Sequence, residues 1–268
     1  MKKLIVFDLD NTLAEHGKGI AASDIEKLKQ FEENGIKIAI CSGKPVHYLS
    51  GFMRQVGLKK PILLGETGAV LQVGVELPPK ELHILPYSNK IKEVLAFIKA
   101  EIDAKLPDIW YQPNMVGVSP FPKCEDEFAI IDQLLRENKD KLQDVQVYRH
   151  PDCFDIIPTG IDKKAGVQFL AQQLSFTTEE IVAVGDGVND YPMFEYAGLA
   201  LGVKVKDETK VDQNFGGITE VLDYLSTMNE EEREKQNNQG KPEEDDWATQ
   251  AMEELEEFIE SQGIYIRQ

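Results

Sequence analysis

Five short apolar, β-rich runs constrain this chain more than any other feature, because most of them stop abruptly at polar or glycine residues. Leu4-Ile5-Val6-Phe7 ends at Asp8, Ile36-Lys37-Ile38-Ala39-Ile40 leads into Cys41-Ser42-Gly43, and Ile181-Val182-Ala183-Val184 gives way to Gly185-Asp186. Pro61-Ile62-Leu63-Leu64 and Leu199-Ala200-Leu201 complete the set. Such runs read as strands buried on both faces, the pattern of a parallel sheet. Between the first two, Ile25, Leu28 and Phe31 stand at helical spacing behind Ser23, which is expected to cap the helix. Asp162 to Leu174 repeats the pattern through Val167, Leu170, Ala171 and Leu174, just before the run at Ile181.

Strands alternating with helices make βαβ units. The expectation is an α/β fold, a Rossmann-like parallel-sheet core spanning residues 1–81 and 156–228. The middle of the chain reads differently. Helical spacing over 89–103 and 126–138 alternates with two β-like pairs, Ile109–Gln112 with Met115–Ser119 and Val145–Tyr148 with Phe154–Ile157. That αββαββ order predicts a small α+β domain over 82–155, inserted into the core as a cap. After Leu225 the polar run Asn229 to Asp246 reads as an acidic linker, and Trp247 to Ile259 restores amphipathic spacing as a terminal helix.

Charge narrows the partners. The chain carries 47 acidic and 29 basic residues, a formal −18, which disfavours nucleic acid and anionic membrane surfaces. Residues 229–268 hold 13 of those acids and 4 of the bases, half of the excess. Cys41, Cys124 and Cys153 are too few and too scattered for a disulfide framework or a zinc site, so a reducing compartment is expected. The apolar stretch behind Lys2 and Lys3 is too short for a signal-peptide core, and no run approaches the roughly 18 apolar residues of a membrane span. A cytoplasmic protein, monomer or homodimer, is the expectation.

Four groups of residues carry chemistry. Asp8-Leu9-Asp10-Asn11-Thr12 sets two carboxylates two residues apart at the carboxyl end of a strand, where open α/β sheets build ligand crevices. These are also ordinary turn and cap residues. Ser42 and Gly43 follow the second strand, where a hydroxyl and a close backbone N–H suit an anion, although Ser42 also suits a helix cap. Lys163 lies in the first turn of a helix, where a cation opposes the dipole and so gains from an anionic partner. Gly185-Asp186-Gly187-Val188-Asn189-Asp190 crowds two acids and an amide among glycines at a strand end, a donor set suited to Mg²⁺. This fourth group is the most specific.

In this order, the four groups resemble the four motifs of haloacid dehalogenase-like phosphohydrolases, within the Cof-type sugar-phosphatase group whose α/β cap lies between the second and third motifs. The resemblance covers roughly residues 1–225 and includes the continuation Pro192-Met193-Phe194. It implies Asp8 as the nucleophile that becomes an aspartyl phosphate and Asp10 as general acid and base. It implies Mg²⁺ held by Asp8, Asp10 through its carbonyl, Asp186 and Asp190. Ser42, Gly43, Lys163 and Asn189 are implied as phosphate-binding residues, with Lys163 also neutralising the attacking Asp8. The implied substrate is a small phosphorylated metabolite, a sugar phosphate. Four departures stand out: Lys164 where the family commonly has Gly, Glu66-Thr67-Gly68 where many relatives have Asn-Gly, a short cap closer to the reduced caps of phosphoglycolate or mannosyl-phosphoglycerate phosphatases, and the acidic tail. Arg149, His150, Lys123 and Tyr111 are candidate cap contacts, and His16 and His47 are weaker candidates near the motifs. Two alternatives share the core chemistry: a phosphomannomutase-like phosphomutase, and a phosphoacceptor or binding module without turnover. Asp10 argues against the second, because an acid/base beside the nucleophile serves turnover.

Overall fold

The structure is a computed structural model and describes residues 2–238, so the helix expected over Trp247–Ile259 lies outside the described residues. In chain order its elements are β1 (Leu4–Phe7), α1 (Ala22–Glu33), β2 (Lys37–Cys41), α2 (Val46–Val56), β3 (Ile62–Gly65), β4 (Val70–Val73) and β5 (Glu81–Ile84). There follow α3 (Asn89–Lys105), β6 (Trp110–Tyr111), β7 (Pro120–Phe121), α4 (Glu125–Glu137), β8 (Val145–Arg149) and β9 (Phe154–Pro158). The remainder is α5 (Lys163–Gln173), β10 (Ile181–Gly185), α6 (Tyr191–Tyr196), β11 (Leu199–Val203), β12 (Gln213–Phe215) and α7 (Ile218–Asn238).

The described residues form two compact units. The first takes in residues 2–39, 56–61 and 167–238, and its strands run in the order β12-β11-β10-β1-β2. The pairs β1–β10, β10–β11 and β11–β12 are parallel, with Phe7 opposite Val184 and Gly185 opposite Gly202. β1 is buried at all four positions and β10 at all five, as continuous apolar runs require when both faces are covered. Helices α1 and α7 pack together in this unit, joined by the Thr219 hydroxyl donating to Asp24 at 3.0 Å and by Lys27 pairing with Asp223 at 2.5 Å. Ser23 does not cap α1: the cap position is Ala21 and Ser23 lies inside the helix.

The second unit holds residues 40–55 and 62–166. Its strands run β2-β3-β4-β5, and β3–β4 and β4–β5 are antiparallel, so the sheet is mixed rather than parallel throughout. Two short antiparallel ribbons, β6–β7 and β8–β9, are linked by a bridge between Val118 and Ile156. Leu95, Ile98 and Ile102 of α3 and Phe128, Ile131 and Leu134 of α4 pack with Val145, Phe154 and Ile156 into one apolar cluster. The residues of this cluster fall between 95 and 156, while the compact unit that holds them takes in residues 40–55 and 62–166. The linker expected from Asn229 is helix as far as Asn238, because Glu230-Glu231-Glu232-Arg233-Glu234-Lys235 are good helix formers that extend α7. Among the described residues, no helix is long and apolar enough to cross a membrane.

Candidate active site

In the first unit, the acids converge because they end neighbouring parallel strands. The Asp8 N–H donates to the Val184 carbonyl at 2.8 Å, which continues the ladder and places Asp8 beside the turn after β10. Asp8, Asp186 and Asp190 each offer a carboxylate oxygen, and these three oxygens lie within 4.8 Å of one another. Asp8 and Asp190 are buried and Asp186 is partly so. Three carboxylates in so small and dry a space repel one another, an arrangement that a shared divalent cation relieves. Thr12 donates its hydroxyl to Asp186 at 3.4 Å.

Asp190 has a second task. Its Oδ2 accepts the N–H groups of Asp186 at 2.9 Å and Gly187 at 3.0 Å, clamping the turn that carries Asp186. Gly185 permits this: a Cβ there would lie 2.4 Å from the Asp190 carboxyl carbon. Asp10 is partly exposed and pairs with His16, Nδ1 to Oδ1 at 3.2 Å, while Asn11 takes a left-handed backbone, φ 64°, in the turn between them. Asn189 is exposed on that same turn after β10.

Ser42, Gly43 and Lys163 belong to the second unit. The Ser42 N–H donates to Leu64 at 2.9 Å and the Ser42 carbonyl accepts from Thr67 at 2.9 Å, so the loop after β2 is tied to β3 and the turn that follows it. That turn meets the start of α5 backbone to backbone: a Cβ on Gly68 would sit 2.7 Å from the Asp162 carbonyl, and one on Gly166 would sit 2.6 Å from the Gly68 Cα. Only glycine on both sides allows the approach. Asp162 caps α5, accepting from the Ala165 N–H at 2.8 Å. Of the two lysines, Lys163 is fully buried and Lys164 is half-buried. A buried ammonium needs anionic company, which favours Lys163 as the chemically committed one.

The cap candidates fare differently. Arg149 spans Glu125 and Asp132 at 3.6 and 3.7 Å and lies over the Phe128 ring at 5.0 Å, an exposed structural stack. Lys123 is exposed, and Tyr111 lies under the Lys99 ammonium at 4.2 Å, with burial pushing its hydroxyl well above the ordinary range. His150 pairs with Asp155 at 3.1 Å, and that hydrogen bond raises its pKa against the opposing effect of burial. His47 is half-buried, and burial pushes the neighbouring Glu66 carboxyl above its ordinary range, with the Met115, Val116 and Gly117 N–H groups opposing it.

Sequence reasoning missed three residues of this neighbourhood. Glu66 and Gln112 are buried and Asp155 partly so, Gln112 donating to the Gly43 carbonyl and Asp155 accepting from the Ser119 hydroxyl, and no spacing rule singles them out. The only prior signal was that Glu66-Thr67-Gly68 departs from the family pattern.

The family model described as sucrose-6F-phosphate phosphohydrolase matches residues 1–227. The chain belongs to this family. With it comes membership of the haloacid dehalogenase-like superfamily, in its Cof-type group, and the chain is a phosphatase of that class, a phosphoric monoester hydrolase. Among curated relatives, the phosphoglycolate phosphatase of Methanoculleus marisnigri is 24% identical over 207 residues, covering 76% of this chain and 85% of the relative. The 5-amino-6-(5-phospho-D-ribitylamino)uracil phosphatase of Bacillus subtilis is 23% identical, covering 83% and 98%. A haloacid dehalogenase-like hydrolase from Bacteroides thetaiotaomicron shares the fold with a TM-score of 0.63 at 21% identity, covering 84% of this chain and all of that one. The Rossmann-like α/β fold is thereby shared with family neighbours, with antiparallel strands added at one edge.

Proposed function

We propose that the protein hydrolyses a small sugar phosphate, using Mg²⁺ and an aspartyl-phosphate intermediate on Asp8. The observation that carries this reading is the convergence of Asp8, Asp186 and Asp190 at adjoining strand ends. The donor set is all oxygen, the choice of a hard cation, so Asp8, Asp186 and Asp190 with the Asp10 carbonyl would hold Mg²⁺. When bound, the cation supplies the positive charge that lets a carboxylate approach a phosphate dianion.

The chain's own residues divide the remaining work. Asp8 attacks phosphorus, and the bond to the leaving oxygen breaks as Asp10 donates a proton to it. Asp10 then takes a proton from water, whose oxygen attacks phosphorus, releasing inorganic phosphate and restoring Asp8. Ser42, the Gly43 N–H and Asn189 bind the phosphoryl oxygens, and Lys163 neutralises the phosphate. Residues 82–155 serve as the cap domain that selects the leaving group, within a core of residues 1–81 and 156–228. Cytoplasmic work as a monomer or homodimer, without nucleic acid or membrane, suits the strong negative charge and the few, scattered cysteines.

The family description and the phosphatase names of the relatives support this reading. The test is a panel of phosphorylated sugars and other small phosphomonoesters, assayed with Mg²⁺ for free phosphate. Release from a sugar phosphate, lost with EDTA and restored by Mg²⁺, is the expected result. Isomerisation of a hexose monophosphate without phosphate release, or activity intact in EDTA, overturns it.

A further inference from the structure

The turn after β3 carries a glutamate for which the proposed chemistry has no use. Glu66 is 2% exposed and holds a left-handed backbone, φ 52°. Its N–H donates to the Lys44 carbonyl at 3.0 Å, beside the bond from Thr67 to Ser42. Its carboxylate accepts three N–H groups: Met115 at 2.7 Å on Oε1, and Val116 at 2.8 Å and Gly117 at 3.2 Å on Oε2. One residue therefore grips the 42–44 loop with its backbone and the 115–117 segment with its side chain.

Holding a carboxylate in a buried place is costly, and burial pushes Glu66 above the ordinary carboxylate range despite those three donors. What the arrangement secures is the position of the segment just upstream. Gln112, 9% exposed, has its backbone tied to the Ser119 carbonyl at 3.0 Å. Its side-chain Nε2 donates to Asn114 Oδ1 at 2.8 Å and to the Gly43 carbonyl at 2.9 Å. That carbonyl shares a peptide group with the Lys44 N–H, which in turn donates to the Ser42 hydroxyl oxygen at 3.2 Å. A peptide group is planar and rotates as one body. A hydrogen bond that fixes its carbonyl also fixes the N–H that orients Ser42.

We propose that Gln112, held in place by the Glu66 clamp on 115–117, is a positioning residue for the Ser42 hydroxyl and thereby sets how tightly the loop binds a phosphoryl group. The proposal rests on the reading above that Ser42 and Gly43 contact the phosphate. It gives the segment between α3 and α4 a part in binding the phosphate itself, besides selecting the leaving group.

The test uses the full-length protein, with p-nitrophenyl phosphate as substrate and inorganic phosphate as competitive inhibitor. Gln112→Glu keeps the size of the side chain but turns carboxylate oxygens toward the Gly43 carbonyl. It should raise KM and the inhibition constant for phosphate together by about tenfold, the scale of one hydrogen bond to a charged group, with a melting temperature near that of the wild type. Ser42→Ala should show a similar rise. Gln112→Glu added to Ser42→Ala should then have almost no further effect, because both changes act on one hydroxyl. Glu66→Gln, which keeps one acceptor oxygen, should fall between wild type and Glu66→Ala. If glutamate at position 112 lowers the melting temperature strongly, Gln112→Met, of similar length without the donor, takes its place under the same criteria. Should Ser42→Ala weaken phosphate binding while the Gln112 variant stays within about twofold of wild type, or should the two effects add in full, the positioning role is overturned and the phosphate-loop reading stands. Unchanged phosphate binding in Ser42→Ala overturns both.

Discussion

Asp8 and Asp186 are 178 residues apart in the chain, yet they meet because Phe7 and Val184 are partners in adjacent parallel strands and each acid lies one or two residues past its partner. In the second unit, Gln112 reaches the Gly43 carbonyl and Glu66 reaches Val116 from segments that share no ladder. The first arrangement is a consequence of strand register. The second is a set of side chains aimed at backbone groups of other loops. A site built on register inherits its geometry from the buried sheet, whereas a site built on loop-to-loop bonds is only as well placed as each bond that holds it.

The largest expected effect strikes the register-built acids. Asp8→Asn should lower phosphate release by at least about 10³-fold, the scale on which loss of a nucleophile is felt, while the circular dichroism spectrum stays native. Retained turnover would remove Asp8 as nucleophile.

Packing in the second unit comes next. Ile98 and Ile131 are fully buried in the apolar cluster of α3 and α4. Ile98→Ala should cost about 2–5 kcal/mol in urea unfolding, the range for a large-to-small core change. A shift well below 1 kcal/mol would mean that the cluster contributes little to stability, and would weaken the contrast between the two units.

Gly185→Ala probes how closely the first unit's turn is fitted. The added Cβ must displace the Asp190 carboxyl, whose Oδ2 holds the Asp186 and Gly187 N–H groups. Mg²⁺ affinity measured by titration calorimetry should drop about 10- to 100-fold, as for loss of an outer-shell support. Unchanged affinity would show that the clamp is dispensable for the metal site.

The smallest effect concerns His150 in the second unit. Its hydrogen bond to Asp155, with Asp152 adding to the attraction and burial and Lys44 opposing it, raises its pKa above the ordinary value of 6.5. A group whose folded pKa is raised contributes stability in full below its unfolded pKa and loses it as pH rises through the folded value. The difference in melting temperature between wild type and His150→Asn should therefore shrink from about pH 5.5 to about pH 8. A difference independent of pH would show that the pair adds nothing through charge.

Much of the first unit could be read along the chain. β1, β2, β10 and β11 stand where continuous apolar runs require buried strands, and Asp8, Asp10, Asp186 and Asp190 follow directly from those runs. β4 and β5 are not legible in the sequence because Val70–Val73 and Glu81–Ile84 are short, with polar Gln72, Glu81 and His83 among them, and their place depends on β4 pairing with β3 and β5 with β4. Residues 229–238 look like linker by polarity, but their helix propensity carries α7 onward.

Local chemistry thus determined where strands end and which acids and hydroxyls stand at those ends, because apolar periodicity and chain order are properties of neighbouring residues. Only the tertiary structure decided that Lys163 rather than Lys164 is fully buried. Only it showed that Gly68 and Gly166 let the third-strand turn and α5 touch, and that Glu66 closes on three N–H groups about fifty residues away. The physical reason is range. A hydrogen bond acts over about 3 Å and ignores sequence distance, so which backbone groups a side chain meets is set by packing and by nothing written beside it in the chain.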